Sequence, residues 1–456
     1  MKTMKTHMSI VFSSAAIFVV TAMAVFGRIQ AATQPGEAIV ALAQTGATDN
    51  ADPAMIAKGR YLATAGDCIA CHTAKGGRPF AGGLGLDSPI GQIYSTNITP
   101  DRRTGIGDYS YADFDNAIRR GIRKDGSSLY PAMPYVSYSK MRPSDVRALY
   151  AYFMHGVTPV SQPNTTEDIA WPLSLRWPLR FWRMAFSPEA EVNESSVSAD
   201  PVTRGRYLVE GLAHCGACHT PRGVGFQELA LTDDGRTFLS GSVIDGYVAN
   251  NLREDQKDGI GKWTESDIVG FLKSGRISHS AAFGGMAEVV EDSTQHMSDA
   301  DLKAIAAYLK TLAPKGASTP ALQGNNAAGN ALRAGTVHGN GELTFIDNCA
   351  ACHRTSGSGY DSTFPKLALS SVVNADDPTS LIHIVLDGAQ MPWTNAAPTH
   401  YSMPGFAGRL TDRDIADVLT FVRSSWGNHA ALVSAGQVRK VRESLGLPGP
   451  PDRPKN

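Results

Sequence analysis

All six cysteines of this 456-residue chain fall in three copies of one five-residue pattern. The copies are Cys68-Ile69-Ala70-Cys71-His72, Cys215-Gly216-Ala217-Cys218-His219 and Cys349-Ala350-Ala351-Cys352-His353. C-x-x-C-H is the attachment sequence of c-type haem. Two thiols add across the porphyrin vinyl groups, and the adjacent histidine is placed to ligate the iron from one face. The pattern therefore predicts three covalently bound haem c groups, with His72, His219 and His353 as axial ligands. A redox dithiol is normally single and needs no histidine after its second cysteine. Tetrahedral zinc wants converging ligand pairs. Here the three motifs lie far apart along the chain, and each cysteine pair carries its own histidine.

A histidine-only haem keeps an open face, whereas a methionine on that face closes the site and raises the potential. Each motif is followed by a methionine in a proline- or glycine-containing loop. Met133 lies in Tyr-Pro-Ala-Met-Pro-Tyr (130–135), downstream of His72. Met286 ends Phe-Gly-Gly-Met (283–286), downstream of His219, and Met403 begins Met-Pro-Gly-Phe (403–406), downstream of His353. These three are the expected sixth ligands. Their rivals are Met141, Met297 and Met391, with His279, His296 and His400. In the third copy, the carbonyl of Pro365 is a candidate acceptor for His353 Nδ1–H.

The elements that must position these groups repeat along the chain. Lys58-Gly59-Arg60-Tyr61-Leu62 precedes the first motif, and Arg204-Gly205-Arg206-Tyr207-Leu208 the second. Gly105-Ile106-Gly107-Asp108-Tyr109 matches Gly259-Ile260-Gly261-Lys262-Trp263. Each copy ends in helical spacing: Val146, Leu149, Tyr150, Phe153; Leu302, Ile305, Ala306, Leu309; Ile415, Val418, Leu419, Val422. Steps of i, i+3, i+4, i+7 put one apolar stripe on one helical face. Ser144, Ser298 and Thr411 stand at the expected N-caps, with Asp301 and Asp414 three residues after the last two. The expected organisation is a signal peptide (1–31), a first domain (50–160), a Trp-rich connector (161–200), a second domain (201–314), a flexible linker (315–335), a third domain (336–430) and an extended or disordered tail (431–456). The connector, with Trp171, Trp177 and Trp182, is too aromatic for a solvated tether.

A net charge of −1 favours no nucleic-acid partner. Lys2, Lys5 and His7 precede an apolar run from Ile10 to Phe26 and then Ala31-Ala32, which reads as an export signal. The run is at the lower limit of length for an uncleaved anchor. Arg119, Arg120, Arg123 and Lys124, with Arg176, Arg180 and Arg183, could pair with haem propionates, dock a partner or form a solvated face.

Several longer strings resemble one family: Tyr94-Ser-Thr-Asn-Ile-Thr-Pro-Asp101, the 130–135 and 283–286 runs, Ala170-Trp171-Pro172-Leu173, and His214 through Arg222. The chain resembles the three-haem cytochrome c subunit of bacterial membrane-bound dehydrogenases that oxidise alcohols, aldehydes, gluconate or fructose. The resemblance implies a mainly α fold of three tandem class I-like cytochrome c domains with loop-rich connections. It implies no catalytic residue in this chain. A large catalytic subunit carrying pyrroloquinoline quinone, flavin or a molybdenum cofactor, with or without a small third subunit, would oxidise the substrate. This chain would pass electrons to ubiquinone or the respiratory chain at the periplasmic side of the cytoplasmic membrane, as a peripheral protein. Two features depart from the pattern: there is no C-terminal apolar anchor, and Leu369 stands where a glycine is expected. The alternatives are a stand-alone periplasmic shuttle and a haem peroxidase.

Overall fold

The structure, a computed structural model, describes residues 52–192, 194, 200–317 and 320–449. The expected signal peptide lies outside the described residues.

The three copies share a helical plan with a few short strands. In the first, Asp52 caps a lead helix (Pro53–Ala65) that begins on proline, which loses no helical hydrogen bond at that position. It runs into a motif helix (Cys68–His72). A small antiparallel sheet (Gly85–Ser88, Gly91–Tyr94, Asp168–Ile169) and a helix (Tyr111–Arg120) follow, then the terminal helix (Pro143–Ala151). The second copy repeats this with a lead helix (Pro201–Tyr207), a motif helix (Gly216–His219), a hairpin (Ser242–Ile244, Tyr247–Ala249) and helices Glu265–Ser274, Gly285–Asp292 and Asp299–Leu309. The third has a lead helix (Asn340–Asn348), a motif helix (Ala350–His353), a helix (Thr379–Asp387), a hairpin (Gly388–Gln390, Ser402–Pro404) and a terminal helix (Asp412–Ser424).

Apart from the half-buried Tyr150, the terminal stripes are buried, and the terminal helices pack on the lead helices in all three copies. One glycine per lead helix permits the crossing. A Cβ on Gly59 would stand 1.9 Å from the Ala148 carbonyl oxygen, and one on Gly205 1.9 Å from that of Ala304. At Gly341 the distance to the Asp417 oxygen would be 2.4 Å. Copies one and two share one apolar core, including Leu62, Phe114, Tyr138, Leu208, Leu212 and Tyr308. The third copy has its own core around Phe345, Ile382, Leu419 and Trp426.

Several local expectations change. Ser298 and Thr411 cap their helices, but the helix at 143 starts on Pro143 with Arg142 at the cap and Ser144 inside. The expected flexible linker contains a helix (Ala327–Arg333) that buries Leu332. The expected extended tail folds as a helix (Ala435–Ser444), because Ser434 and Gln437 form a capping box and Val438 and Val441 reach the third core. Trp182 packs as expected of the connector, whereas Trp171 and Trp177 stand exposed. Most of the basic cluster is internally committed. Arg119 is buried against Asp115, Arg120 also pairs with Asp115, and Arg176 pairs with Glu167.

Candidate haem-attachment sites

Each motif histidine is clamped twice. Its ring Nδ1 lies against a backbone carbonyl: His72 on Thr96 at 2.7 Å, His219 on Asn250 at 2.7 Å and His353 on Pro365 at 3.0 Å. Its own carbonyl accepts the N–H of a later glycine: Gly82 at 2.8 Å, Gly241 at 2.8 Å and Gly359 at 3.1 Å. All three glycines hold φ between 59° and 96°, the left-handed region that glycine enters freely. A carbonyl can only accept, so Nδ1 carries the proton and Nε2 is left as the ligating atom. Burial lowers the pKa of all three rings, outweighing the carbonyl bonds that raise it, and keeps them neutral. This donor set fits an iron porphyrin held from one face.

The Pro365 acceptor is legible from sequence; the Thr96 and Asn250 acceptors are not. Their signal is the asparagine that follows each. Asn97 and Asn251 are buried, and each accepts the backbone N–H two residues on, from Thr99 and Arg253, both at 2.9 Å. The repeated Gly-Ile-Gly segments lock the same loops: Ile106 N–H bonds Thr99 O, and Ile260 N–H bonds Arg253 O, each at 2.9 Å.

The six cysteines are all free. Burial pushes the Cys68, Cys215 and Cys349 thiols up to about 12, and Cys71 and Cys218 up to about 11. Dithiol catalysis needs a lowered value, so these five are neutral thiols. Among the described residues, no three His, Cys, Asp or Glu side chains converge as a metal-ion site.

The candidate methionines divide by burial. Met133, Met286 and Met403 are half-buried, while Met141 and Met297 are fully enclosed in the shared core. Met391 is also buried, and His296 and His400 are exposed. Met133 sits in a tight turn whose carbonyl accepts from Tyr135 N–H at 2.8 Å. Met286 opens the Gly285–Asp292 helix, after Gly284 at φ 54°. Met403 pairs with Ala389 in the third hairpin. His279 remains a rival in the second copy, since its buried Nε2 has no hydrogen-bond partner. At the position where glycine is expected, Leu369 adopts φ 60°, with its N–H held by Asn428 Oδ1 at 2.7 Å.

The three sites are neighbours. The Met286 helix packs on the Cys68–His72 helix. Tyr247, 5.9 Å from Phe283 in the Met286 loop, stacks on His383 at 3.9 Å. His383 lies on the helix that leads into the Met403 hairpin.

The cytochrome c family model matches residues 202–313 and 339–426. The chain is 53% identical over 403 residues to the gluconate 2-dehydrogenase cytochrome c subunit of Pantoea cypripedii, covering 87% of this chain and 91% of that one. It is 52% identical to the cytochrome c subunit of alcohol dehydrogenase (quinone) of Gluconacetobacter polyoxogenes, covering 89% and 87%. The fructose dehydrogenase cytochrome subunit of Gluconobacter japonicus is 38% identical, covering 85% and 82%. With its clamped histidines and neutral thiols, this chain belongs to the family of cytochrome c subunits of gluconate, alcohol and fructose dehydrogenases, which bind haem c covalently.

Proposed function

We propose that this chain is the three-haem electron-transfer subunit of a membrane-bound dehydrogenase complex on the periplasmic side of the cytoplasmic membrane. The observation that carries the reading is the same double clamp on His72, His219 and His353, one per C-x-x-C-H motif. Each copy acts as a class I-like cytochrome c domain in tandem with the others. Cys68 and Cys71, Cys215 and Cys218, and Cys349 and Cys352 form the thioethers.

Haem c supplies reversible one-electron chemistry at iron. The protein fixes the imidazole tautomer through the Thr96, Asn250 and Pro365 carbonyls and supplies a thioether sulfur from Met133, Met286 and Met403. Apolar burial around each site excludes water. The second copy, touching both others through the Met286 helix and Tyr247, is the middle of the relay. Substrate oxidation falls to a separate catalytic subunit carrying pyrroloquinoline quinone, flavin or a molybdenum cofactor, and ubiquinone receives the electrons.

The test is co-expression with a catalytic subunit of a gluconate, alcohol or fructose dehydrogenase. A haem-to-chain ratio of three, and reduction of the haem absorbance by that enzyme's substrate, are expected. A lower ratio overturns the haem number. Recovery of the chain alone, without reduction, overturns the subunit assignment.

A further inference from the structure

Residues 169–188, which bridge the first two copies, hold three of the chain's six tryptophans, three arginines and no acidic residue. Trp171 is 79% exposed, Trp177 67%, Phe181 60% and Met184 71%. Leu173 and Phe186 are exposed as well. Such a run of exposed large apolar side chains demands a partner.

The strap is nonetheless firmly seated. Trp182 turns inward, meets Tyr135 edge-on at 6.2 Å and donates its indole N–H to Gly225 O at 2.7 Å. Arg176 lies 4.5 Å over the Tyr130 ring and bonds Ser128 O at 3.1 Å. Arg183 bonds Arg120 O at 2.9 Å. The helix Leu179–Phe186 thus has one face fixed to the protein and the other presented outward. The apolar surface continues onto the second copy, where Val224 and Phe226 flank the Gly225 that receives Trp182.

We propose that this strap is a membrane-docking face, which seats the protein on an anionic bilayer with Trp171, Trp177, Phe181 and Met184 among the lipids. The proposal rests on the subunit reading above, because it gives a peripheral subunit its route to a lipid-soluble quinone. Three observations favour lipid over a protein partner. Trp171, Trp177, Phe181 and Met184 are each more than half exposed, which a fluid bilayer accommodates without matching pockets. Arg180 is exposed toward anionic headgroups while Arg176 is held by Glu167 and Arg183 by Arg120 O, and Trp and Arg are residues of the membrane interface. No helix among the described residues is long and apolar enough to cross a membrane, so attachment through them has to be interfacial. Tyr130 and Tyr135 bracket Met133, so docking places the first copy's methionine loop directly beneath the membrane surface.

The test mixes the purified haem-loaded chain with phosphatidylglycerol–phosphatidylethanolamine vesicles and measures sedimentation. Wild-type protein is expected to bind, and to keep binding at high salt. The triple variant W177S/F181S/M184S should partition roughly tenfold or more weakly with an unchanged haem spectrum. Hydrogen exchange on the wild type should show protection of 170–186 by vesicles, a readout that needs no variant. No binding by wild type, equal binding by the variant, or binding abolished by salt would each overturn the proposal. Substrate-driven haem reduction by the catalytic subunit is measured in detergent on the same proteins. A variant that keeps vesicle binding but loses this reduction assigns the face to the catalytic subunit instead. Absence of reduction in both proteins strikes the subunit reading alone.

Discussion

The phenol of Tyr61, in the first copy, donates to Asp301 Oδ2 of the second at 2.5 Å. The reverse bond also exists: Tyr207 of the second copy donates to Asp145 Oδ2 of the first at 2.6 Å. Each aspartate meanwhile holds a cation of its own copy, Lys58 at 2.6 Å for Asp145 and Arg204 at 2.8 Å for Asp301. The duplicated Gly-Arg-Tyr-Leu segments thus exchange tyrosines across a pseudo-twofold contact. This explains why the two copies share one core.

Replacing Tyr61 or Tyr207 with phenylalanine should cost about 1–2 kcal/mol each, as a charge-assisted bond at a partly exposed contact. Denaturant unfolding of the haem-loaded protein reads it. Burial pushes Asp301 up, but the bonds from Arg204 and Tyr61 outweigh it and hold the carboxyl below its ordinary value. Its contribution is therefore complete above about pH 4 and lost as pH falls further. Tyr61 is raised, by burial first and Asp301 second, so its contribution is complete below about pH 10 and lost above. Tyr61→Phe should flatten part of both limbs. An unchanged pH–stability profile would show that the contact carries no folding energy.

The glycines at the helix crossings should tolerate no side chain. Gly59→Ala and Gly205→Ala each force a methyl against a backbone carbonyl, which cannot swing aside as a side-chain end can. A loss of about 3 kcal/mol or more is expected. Gly408→Ala is the contrasting control for open space, since nothing lies within 4 Å of its Cβ position and its φ is ordinary. Thermal unfolding with matched haem content decides the matter, and wild-type melting of Gly205→Ala would refute the crossing geometry.

What is legible in the sequence follows from what its signals are made of. C-x-x-C-H is a chemical requirement, so the cysteines and histidines can be read directly. The terminal stripes can be read because helical periodicity is local. The Thr96 and Asn250 acceptors are backbone carbonyls of residues with no restricted type, and only the asparagine after each marks them. The Tyr61–Asp301 and Tyr207–Asp145 pairs join repeats with their partners exchanged, which no single-copy pattern contains. The tail reads as extended because its terminal prolines mask the cap at Ser434 and the valine pair behind it. Leu369 is the opposite case: the resemblance expects a glycine there, and the backbone at φ 60° is one that costs a leucine strain.

The tail helix should prove integral to the third copy. Arg442 is buried. It bonds Asp412 Oδ1 at 2.8 Å, Ala407 O at 2.9 Å and Leu410 O at 3.3 Å, bracing the start of the terminal helix. Arg442→Met leaves the buried Asp412 carboxylate with only the more distant Arg439 at 3.8 Å. About 3 kcal/mol should be lost. Ending the chain after Val433 should cost more, by uncovering the core that Val438 and Val441 close. Differential scanning calorimetry of the haem-loaded protein checks both, and an unaltered transition would return the segment to the status of a dispensable tail.

The methionines give the sharpest test of the sites themselves. A ligand must present its sulfur to the iron, whereas a core methionine is wrapped by its neighbours. Met133, Met286 and Met403 are half-buried, while Met141 and Met297 are enclosed. Replacing any of the first three with alanine should lower the potential of one haem and leave the other two unchanged. The shift should be a sizeable part of the roughly 0.8 V that axial ligation commands. Met141→Leu and Met297→Leu should leave all three potentials in place and cost less than about 1.5 kcal/mol, as volume-conserving core changes. In the second copy His279 is the competitor, because its buried Nε2 lacks a partner. Spectroelectrochemical titration separates the two. A fall in one potential with Met286→Ala assigns the sulfur, whereas an unchanged titration there, paired with a shift in His279→Ala, moves the sixth ligand to the imidazole.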